Sequence, residues 1–311
     1  MLKIFSSITR AYKKTIYLSS TLTLSLGIFH CLPAFSQESK PTNNYTTFQE
    51  WCENKANLPE ETKHTINLLL EEVDTEDCNA ANQKLSSTDR ISIFRREIKD
   101  VRPISSLKNL KILNLKFNEI TDISSLANLT NLIDLDLWNN QVSDISPLAK
   151  LTQLKNINLI NNPIKDISPL SNLTNLTTLA LVGNKFTDIS ALSNITKLSN
   201  IALNRNQITD ITPLSNLTQL TRIRLSNNKI ENISPLSNLT KLTNLELVDN
   251  QISDVTPLSQ LTSLTFLNLR DNQITDVSSL EKLTRLSTLN LQGNPLNQKI
   301  CPLQSSSVCR F

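Results

Sequence analysis

Residues 110–120 read LKILNLKFNEI, and the same frame, L-x-x-L-x-L-x-x-N-x-I, returns at Leu242, Leu245, Leu247, Asn250 and Ile252. Its asparagine recurs every 22 residues without insertion, at Asn118, Asn140, Asn162, Asn184, Asn206, Asn228, Asn250, Asn272 and Asn294. A fixed period of this length marks stacked supersecondary units. Each unit supplies one short strand, x-L-x-L-x, whose leucines point into a core that a single unit cannot close and stacking does. The expected fold is an α/β repeat solenoid, a horseshoe with a parallel concave sheet. The period leaves too few residues for a full α-helix, so the convex side is expected to carry 3₁₀ or single-turn helices. The asparagine should turn inward at the strand end and satisfy backbone groups that no ladder reaches, forming a hydrogen-bonded spine.

A second row follows the spine: Asp122, Asp144, Asp166, Asp188, Asp210, Asp254 and Asp276, with Asn232 filling the gap. Asp or Asn before a short helical turn is a capping signal. Pro147, Pro169, Pro213, Pro235 and Pro257 stand where a first-turn proline costs no hydrogen bond. The competing reading is a cation ladder, but one carboxylate per repeat falls short of the six to eight oxygens that Ca²⁺ takes. No metal is expected.

Backwards, the frame continues through Ile91, Ile93, Ile98, Asp100, Val101, Pro103 and Leu107, with Arg96 in place of asparagine. Forwards it ends at Leu286, Leu289, Leu291, Asn294 and Leu296. Repeats thus occupy 88–296, as about ten strands spanning about 45 Å at ~4.8 Å each. Residues 297–311 are expected to close the array. Residues 45–87 break the period and look helical: Phe48 and Trp51 start a first segment, Pro59 opens one with Ile66, Leu69 and Leu70, and Thr75-Glu76-Asp77 starts a third. A helical cap here would shield leucines that a terminal repeat otherwise exposes.

Residues 1–36 have the order of a secretory signal peptide. Lys3, Arg10, Lys13 and Lys14 precede an apolar stretch from Ile16 to Phe29, and Ala34-Phe35-Ser36 sets cleavage after Ser36. The apolar stretch is too short for a membrane span, and residues 37–44 form a linker. Cys31 raises a lipoprotein alternative, for which His30 and Phe29 are poor neighbours. Cleavage leaves Cys52, Cys78, Cys301 and Cys309, which allow three pairings. Only Cys52 with Cys78 and Cys301 with Cys309 avoids bridging the two ends of a rigid solenoid. The expectation is a helical, disulfide-bonded N-terminal cap, a disulfide-closed C-terminal cap and an oxidising compartment. The protein would be exported, to a periplasm or beyond, as a monomer without a membrane span. Four of the 31 Lys and Arg leave with the leader and none of the 28 Asp and Glu, so the mature chain carries 27 against 28. That balance is no nucleic-acid footprint.

The mature chain keeps one histidine, His64, and two glycines, Gly183 and Gly293. No phosphate loop, histidine metal cluster or histidine triad can be assembled from that inventory, so no catalytic residue and no cofactor is expected. His64 is most simply a surface residue of the cap. Asp134 and Asp136 are paired carboxylates, but acid/base work needs a cleft that separates their environments. Leu58-Pro59-Glu60-Glu61-Thr62 lacks the glycine of a wall-sorting signal. The Asn-Leu-Thr triplets at Asn128, Asn172, Asn216 and Asn238 follow from the repeat consensus.

Strand alternation turns the non-leucine positions outward. The position after the third leucine reads Phe94, Lys116, Trp138, Ile160, Val182, Asn204, Ser226, Val248, Arg270 and Gln292. Trp138, Ile160 and Val182 make a contiguous apolar strip, edged by Ile112, Asp134, Asp136 and Asn158. Tryptophan is enriched at binding hot spots, and an exposed apolar strip asks for a reason. The site drawn from sequence therefore comprises Phe94, Ile112, Lys116, Asp134, Asp136, Trp138, Asn158, Ile160 and Val182, with another protein as partner. A surface glycan stacked on Trp138, or apolar neighbours that only stabilise one another, are the alternatives. Charges of the other half, Arg222, Arg224, Glu246, Asp249, Arg270 and Asp271, should compensate each other.

The unit QITDITPLSNLTQL at Gln207–Leu220 resembles the repeat of bacterial internalins, within the short-repeat subclass of leucine-rich repeat proteins that includes a eukaryotic phosphatase regulator. The resemblance covers about residues 88–296. It implies a right-handed parallel solenoid that binds partners through its concave strand face. Residues 297–311 show neither an immunoglobulin-like domain nor a sorting signal, so wall anchoring and host-cell invasion are not expected to carry over. The flanks resemble secreted cyanobacterial repeat proteins, through Phe48-x-x-Trp51-Cys52, Leu58-Pro59-x-x-Thr62, Asp77-Cys78 and Cys301-Pro302.

Overall fold

The computed structural model describes residues 45–311. The leader at 1–36, its cleavage after Ser36, the Cys31 alternative and the linker at 37–44 lie outside the described residues.

Three helices come first: α1 (Phe48–Glu53), α2 (Glu60–Glu72) and α3 (Cys78–Ser87). Thr47 and Glu50 form a reciprocal capping box on α1, the hydroxyl accepting from Glu50 N and the carboxylate from Thr47 N. Pro59 stands just ahead of α2, which carries Glu60 and Glu61 in its first turn where the helix dipole favours acid. Asp77 caps α3 by accepting from Ala80 N at 2.7 Å, so the third start falls at the last residue of the expected Thr75–Asp77 signal. Phe48, Trp51, Leu69 and Leu85 are buried, and a disulfide joins Cys52 of α1 to Cys78 of α3.

Ten strands of three residues follow: β1 (Arg90–Ser92), β2 (Ile112–Asn114), β3 (Asp134–Asp136), β4 (Asn156–Asn158), β5 (Thr178–Ala180), β6 (Asn200–Ala202), β7 (Arg222–Arg224), β8 (Asn244–Glu246), β9 (Phe266–Asn268) and β10 (Thr288–Asn290). All pair in parallel with sequence neighbours, at a register offset of one repeat. The about ten strands read from sequence become eleven. The segment after the last repeat returns as β11 (Cys309–Arg310), pairing Leu289 with Cys309 and Asn290 with Arg310. The Cys301–Cys309 disulfide holds that return. Opposite each strand lies only a 3₁₀ turn of three to five residues, such as Ser124–Asn128 or Ser234–Leu236, so the solenoid is narrow, with the sheet on its concave side.

The spine is a shared hydrogen-bond system. Asn162 Nδ2 donates to Leu159 O of its own repeat and to Leu137 O of the previous one, while its Oδ1 accepts from Val142 N at 3.0 Å. From Leu115 to Leu269 each inward carbonyl is taken twice: Leu137 O also accepts from Asn140, and Leu159 O from Asn184. Each N–H has one acceptor. In one repeat the system is incomplete. Asn206 Oδ1 is buried without a partner, at the repeat where Phe186 replaces the Ile or Val that donates elsewhere.

The aspartate row acts one residue earlier than a helix N-cap. In the 3₁₀ turn at Ser146–Lys150 the cap position is Ile145, and Asp144 reaches past it so that Oδ1 accepts from Ser146 N and Oδ2 from Ser146 Oγ. The same contacts recur at Asp166, Asp188 and Asp276. Backbone hydrogen bonds hold the Asp166 and Asp276 carboxyls below the ordinary range. Among the described residues no group of three or more His, Cys, Asp or Glu is placed to hold a metal.

A buried polar lock joins the cap to the first repeat. Asp100 accepts from Thr62 Oγ1 at 2.5 Å and from Arg102 Nε and Nη2, and its carbonyl accepts from Thr65 Oγ1 at 2.7 Å. His64, expected at the surface, is half-buried and hydrogen-bonds Arg96 O, adding a second tie.

Candidate functional site

Along β3, Leu135 points inward and Asp134 and Asp136 point outward; Ile112 and Asn114 do the same on β2, and Asn156 and Asn158 on β4. The backbone ladder runs on past each strand, with Phe117 N donating to Trp138 O, Asn139 N to Ile160 O and Asn161 N to Val182 O at 2.7–2.8 Å. Trp138, Ile160 and Val182 are thereby held side by side, all half-buried. Over β1–β5 the sheet face forms a shallow hollow of about 460 Å³, lined by Ile112, Asp134, Asp136, Asn156 and Asn158 among others, with Arg90 on β1 at its far end.

Two of the named residues also serve the fold. Asp136 Oδ1 accepts from Trp138 N at 3.0 Å, and Asn158 Oδ1 from Ile160 N at 3.3 Å, as Asn114 does for Lys116 N. These side chains cap a backbone N–H where the strand ends. Asp134 accepts from Asn156 Nδ2. Neither aspartate has an ion-pair partner among the described residues, whereas Arg224 pairs with Glu246 and Arg270 with Asp271 in the other half.

Phe117 and Arg95 were missed by the sequence reading and belong beside the strip. The Phe117 ring lies 4.6 Å from that of Trp138, the Arg95 guanidinium sits 4.8 Å above Phe117, and the Lys116 ammonium 5.4 Å from Phe94. Phe94 is 49 % exposed. Trp138 is thus not a lone ring, and its Nε1 is buried without a partner. Phe117 occupies the residue before the spine asparagine, where the backbone is left-handed in every repeat: Arg95, Phe117, Asn139, Asn161, Gly183, Arg205, Asn227, Asp249, Asp271 and Gly293 all have positive φ. Gly, Asn and Asp suit that conformation and a bulky ring does not. The column of mostly Asn, Asp and Gly was the signal that could have singled out Phe117.

A second column separates the two halves of the face. From Thr177 through Ser199, Thr221, Thr243 and Thr265 to Ser287, a hydroxyl at the residue before each strand donates to the carbonyl one repeat back. In the first four repeats this position holds Asp89, Lys111, Ile133 and Lys155 instead.

A family profile described as "Leucine Rich repeats (2 copies)" matches residues 130–172, 174–216, 218–260 and 262–305, and a "Leucine Rich repeat" profile matches 106–123. Among solved structures the chain is similar to an internalin (inlF) from Listeria monocytogenes, at 33% identity over 73% of this chain and 80% of that one, TM-score 0.51. The chain belongs to the internalin-like leucine-rich repeat proteins. This internalin-like chain is also similar to internalin C2 of the same organism, at 32% identity over 71% of this chain and 88% of that one, TM-score 0.54. At 23% identity the functional domain of InlJ, over 81% of this chain and 57% of that one, TM-score 0.61, shows the fold alone. No curated protein matches this internalin-like chain. The likeness of its flanks to cyanobacterial proteins finds no support in these matches.

Proposed function

We propose that this protein is an exported, non-enzymatic interaction module that holds another protein on the concave face of its first repeats. The observation that carries the reading is where the aromatics fall. Phe94, Phe117 and Trp138 lie on three consecutive repeats, together with Lys116, Arg95, Ile160 and Val182. Buried or half-buried aromatics and arginine are the residue types that dominate binding energy at protein interfaces. The concave site comprises Phe94, Ile112, Lys116, Asp134, Asp136, Trp138, Asn158, Ile160 and Val182, to which Phe117 is added.

Export is supported by two disulfides, one in each flank. No helix among the described residues is long and apolar enough to cross a membrane. The division into leader 1–36, linker 37–44, helical cap 45–87, repeats 88–296 and C-terminal cap 297–311 is part of the same proposal. A glycan ligand is the second reading, favoured by the asparagine and aspartate side chains that line the hollow over β1–β5.

The test is capture from envelope and surface extract of the producing cell with the full chain, beside a Trp138→Ala, Ile160→Asp variant of equal folded content. A ligand kept by the first and lost by the second supports the site, and protease treatment of the extract abolishes capture of a protein but not of a glycan. Equal capture by both baits, or none by either, refutes it.

A further inference from the structure

From the geometry of β3 we infer the chemistry of the partner: an extended polypeptide segment carrying a lysine or arginine two residues from a large apolar side chain. This rests on the reading of the concave face as a protein-binding surface.

Only three acidic side chains occupy outward strand positions of β1–β11: Asp134, Asp136 and Glu246. Glu246 is paired with Arg224 at 3.1 Å. Asp134 and Asp136 are adjacent on one strand, in the floor of the hollow, and have no cationic partner among the described residues. Arg90 is the basic residue lining that hollow, and Ile112 stands between it and Asp134 in the register. The cations nearer the aromatics, Lys116 and Arg95, lie over Phe94 and Phe117. The hollow, with two carboxylates against one guanidinium, therefore keeps a net negative charge, and Trp138 follows Asp136 two residues further along the chain; charge complementarity selects the partner's sign.

Spacing selects its form. Asp134, Asp136 and Trp138 follow one another at every second residue on one face of an extended backbone, so successive side chains stand about 6.8 Å apart. An extended polypeptide repeats its same-face side chains at the same step. A basic residue over the carboxylates places its i+2 neighbour on the Trp138–Phe117 rings, 4.6 Å apart, and Ile160 and Val182 extend that apolar footing. Phe117 agrees with a selected aromatic, since it holds a backbone conformation that Asn139 and Asn161 supply without a bulky side chain in the next repeats.

The two carboxylates can be neutralised without disturbing the fold. Asn114 and Asn158 occupy the position of Asp136 in the flanking repeats and cap the same backbone N–H, and Asn156 stands beside Asp134. The experiment selects a random-sequence synthetic peptide library on the full chain, on Asp134→Asn/Asp136→Asn, on Phe117→Asn and on Trp138→Ala, with thermal melts to match folded content. The expected result is enrichment of peptides with Lys or Arg two residues from Trp, Phe, Leu or Ile. The double asparagine variant should bind those peptides at least about tenfold more weakly, which is ~1.4 kcal/mol, with an unchanged melt and loss of the basic preference. Phe117→Asn should lose the apolar preference and keep the basic one. Peptides that depend on Trp138 but carry no basic preference, or an acidic one, overturn this inference and leave the face as a binding surface. Absence of any Trp138-dependent peptide overturns the proposed site, and the inference with it.

Discussion

The asparagine spine makes an uneven demand on the fold, and the unevenness can be measured. Replacing Asn162 with alanine removes its bonds to Leu137 O, Leu159 O and Val142 N, together with a longer third contact from Nδ2 to Ile160 O, which keeps Asn139 N, but the partners it leaves are not equivalent. Leu137 O keeps Asn140 and Leu159 O keeps Asn184. Val142 N, whose only acceptor is Asn162 Oδ1, is left buried and unpaired. An orphaned buried donor costs about 1–3 kcal/mol, and each of the two redundant bonds about 0.5–1 kcal/mol net. The expected total is ~2–5 kcal/mol. Asn206→Ala removes the bonds to Leu181 O and Leu203 O, which keep Asn184 and Asn228, and the same longer contact, here to Asn204 O, which keeps Gly183 N. It orphans no donor, because Asn206 Oδ1 has no partner to lose. Its expected cost is only ~1–2 kcal/mol.

Urea unfolding of both variants, followed by far-ultraviolet circular dichroism, reads the contrast as a difference in midpoint at unchanged slope. A lower midpoint for Asn162→Ala than for Asn206→Ala, by an amount worth one buried N–H, is the expected result. Equal losses would show that the cost lies in the lost side-chain volume and the doubly used carbonyls. In that case the spine's acceptor role is not what the solenoid requires. Where the contrast is seen, Phe186→Ile should bring the cost of Asn206→Ala up toward that of Asn162→Ala, because the backbone N–H of residue 186 would then meet Asn206 Oδ1 as in the other repeats.

Three further outcomes are expected. Burial pushes the Asp100 carboxyl up, but hydrogen bonds from Arg102 and Thr62 outweigh this and hold it below its ordinary value. Its contribution is therefore complete above the unfolded pKa of about 3.9 and is lost as pH falls toward the folded one. Melts from pH 6 to 3 should show Asp100→Asn flatter than the parent and lower by ~3 kcal/mol at neutral pH; an equally steep acid limb in the variant would assign the loss to other groups. Replacing Cys52 and Cys78 by serine should destabilise by ~3.5 kcal/mol and replacing Cys301 and Cys309 by ~2.5 kcal/mol, from the sizes of the loops they close. Their separations are 26 and 8 residues, and a reversed order in urea midpoints would refute the loop argument. Gly183→Ala places a Cβ against Asn161 Oδ1 at φ +72°, so a lowered melting midpoint of ~1–2 kcal/mol is expected from strain and crowding. A neutral result would mean that the left-handed column makes no demand on residue type.

The frame of leucine, asparagine and aspartate was legible because each identity answers one atomic need repeated every 22 residues. Leucines close a core no single repeat closes, and the asparagine is the side chain that both donates to two carbonyls and accepts from an N–H. The aspartate before each 3₁₀ turn was legible as a cap, although the sequence alone did not reveal that it reaches past the cap residue to the next N–H. Strand β11 was not legible, since Cys309 and Arg310 carry no repeat frame and are brought to the sheet by a return that Cys301 anchors. The tie from His64 to Arg96 O was not legible, because Arg96 belongs to the repeat that lacks the spine asparagine. The face poses a different problem, since its outward positions are the ones the fold leaves free, and a single residue there says nothing. A column does. The hydroxyl column holds from Thr177 to Ser287 and breaks at Asp89, Lys111, Ile133 and Lys155, while the left-handed column is mostly Asn, Asp and Gly and breaks at Arg95, Phe117 and Arg205, of which Phe117 alone is aromatic. Both columns serve the backbone where they are intact, and except for Arg205 their breaks forgo hydroxyl bonds and accept strain in the repeats that gather Phe94, Phe117, Trp138 and the two aspartates without an ion-pair partner. Local departures from a repeat's own physical optimum are where a selected function is to be sought on a solenoid, and most of those on the outward face fall in the first repeats, which is why the proposed site is placed there.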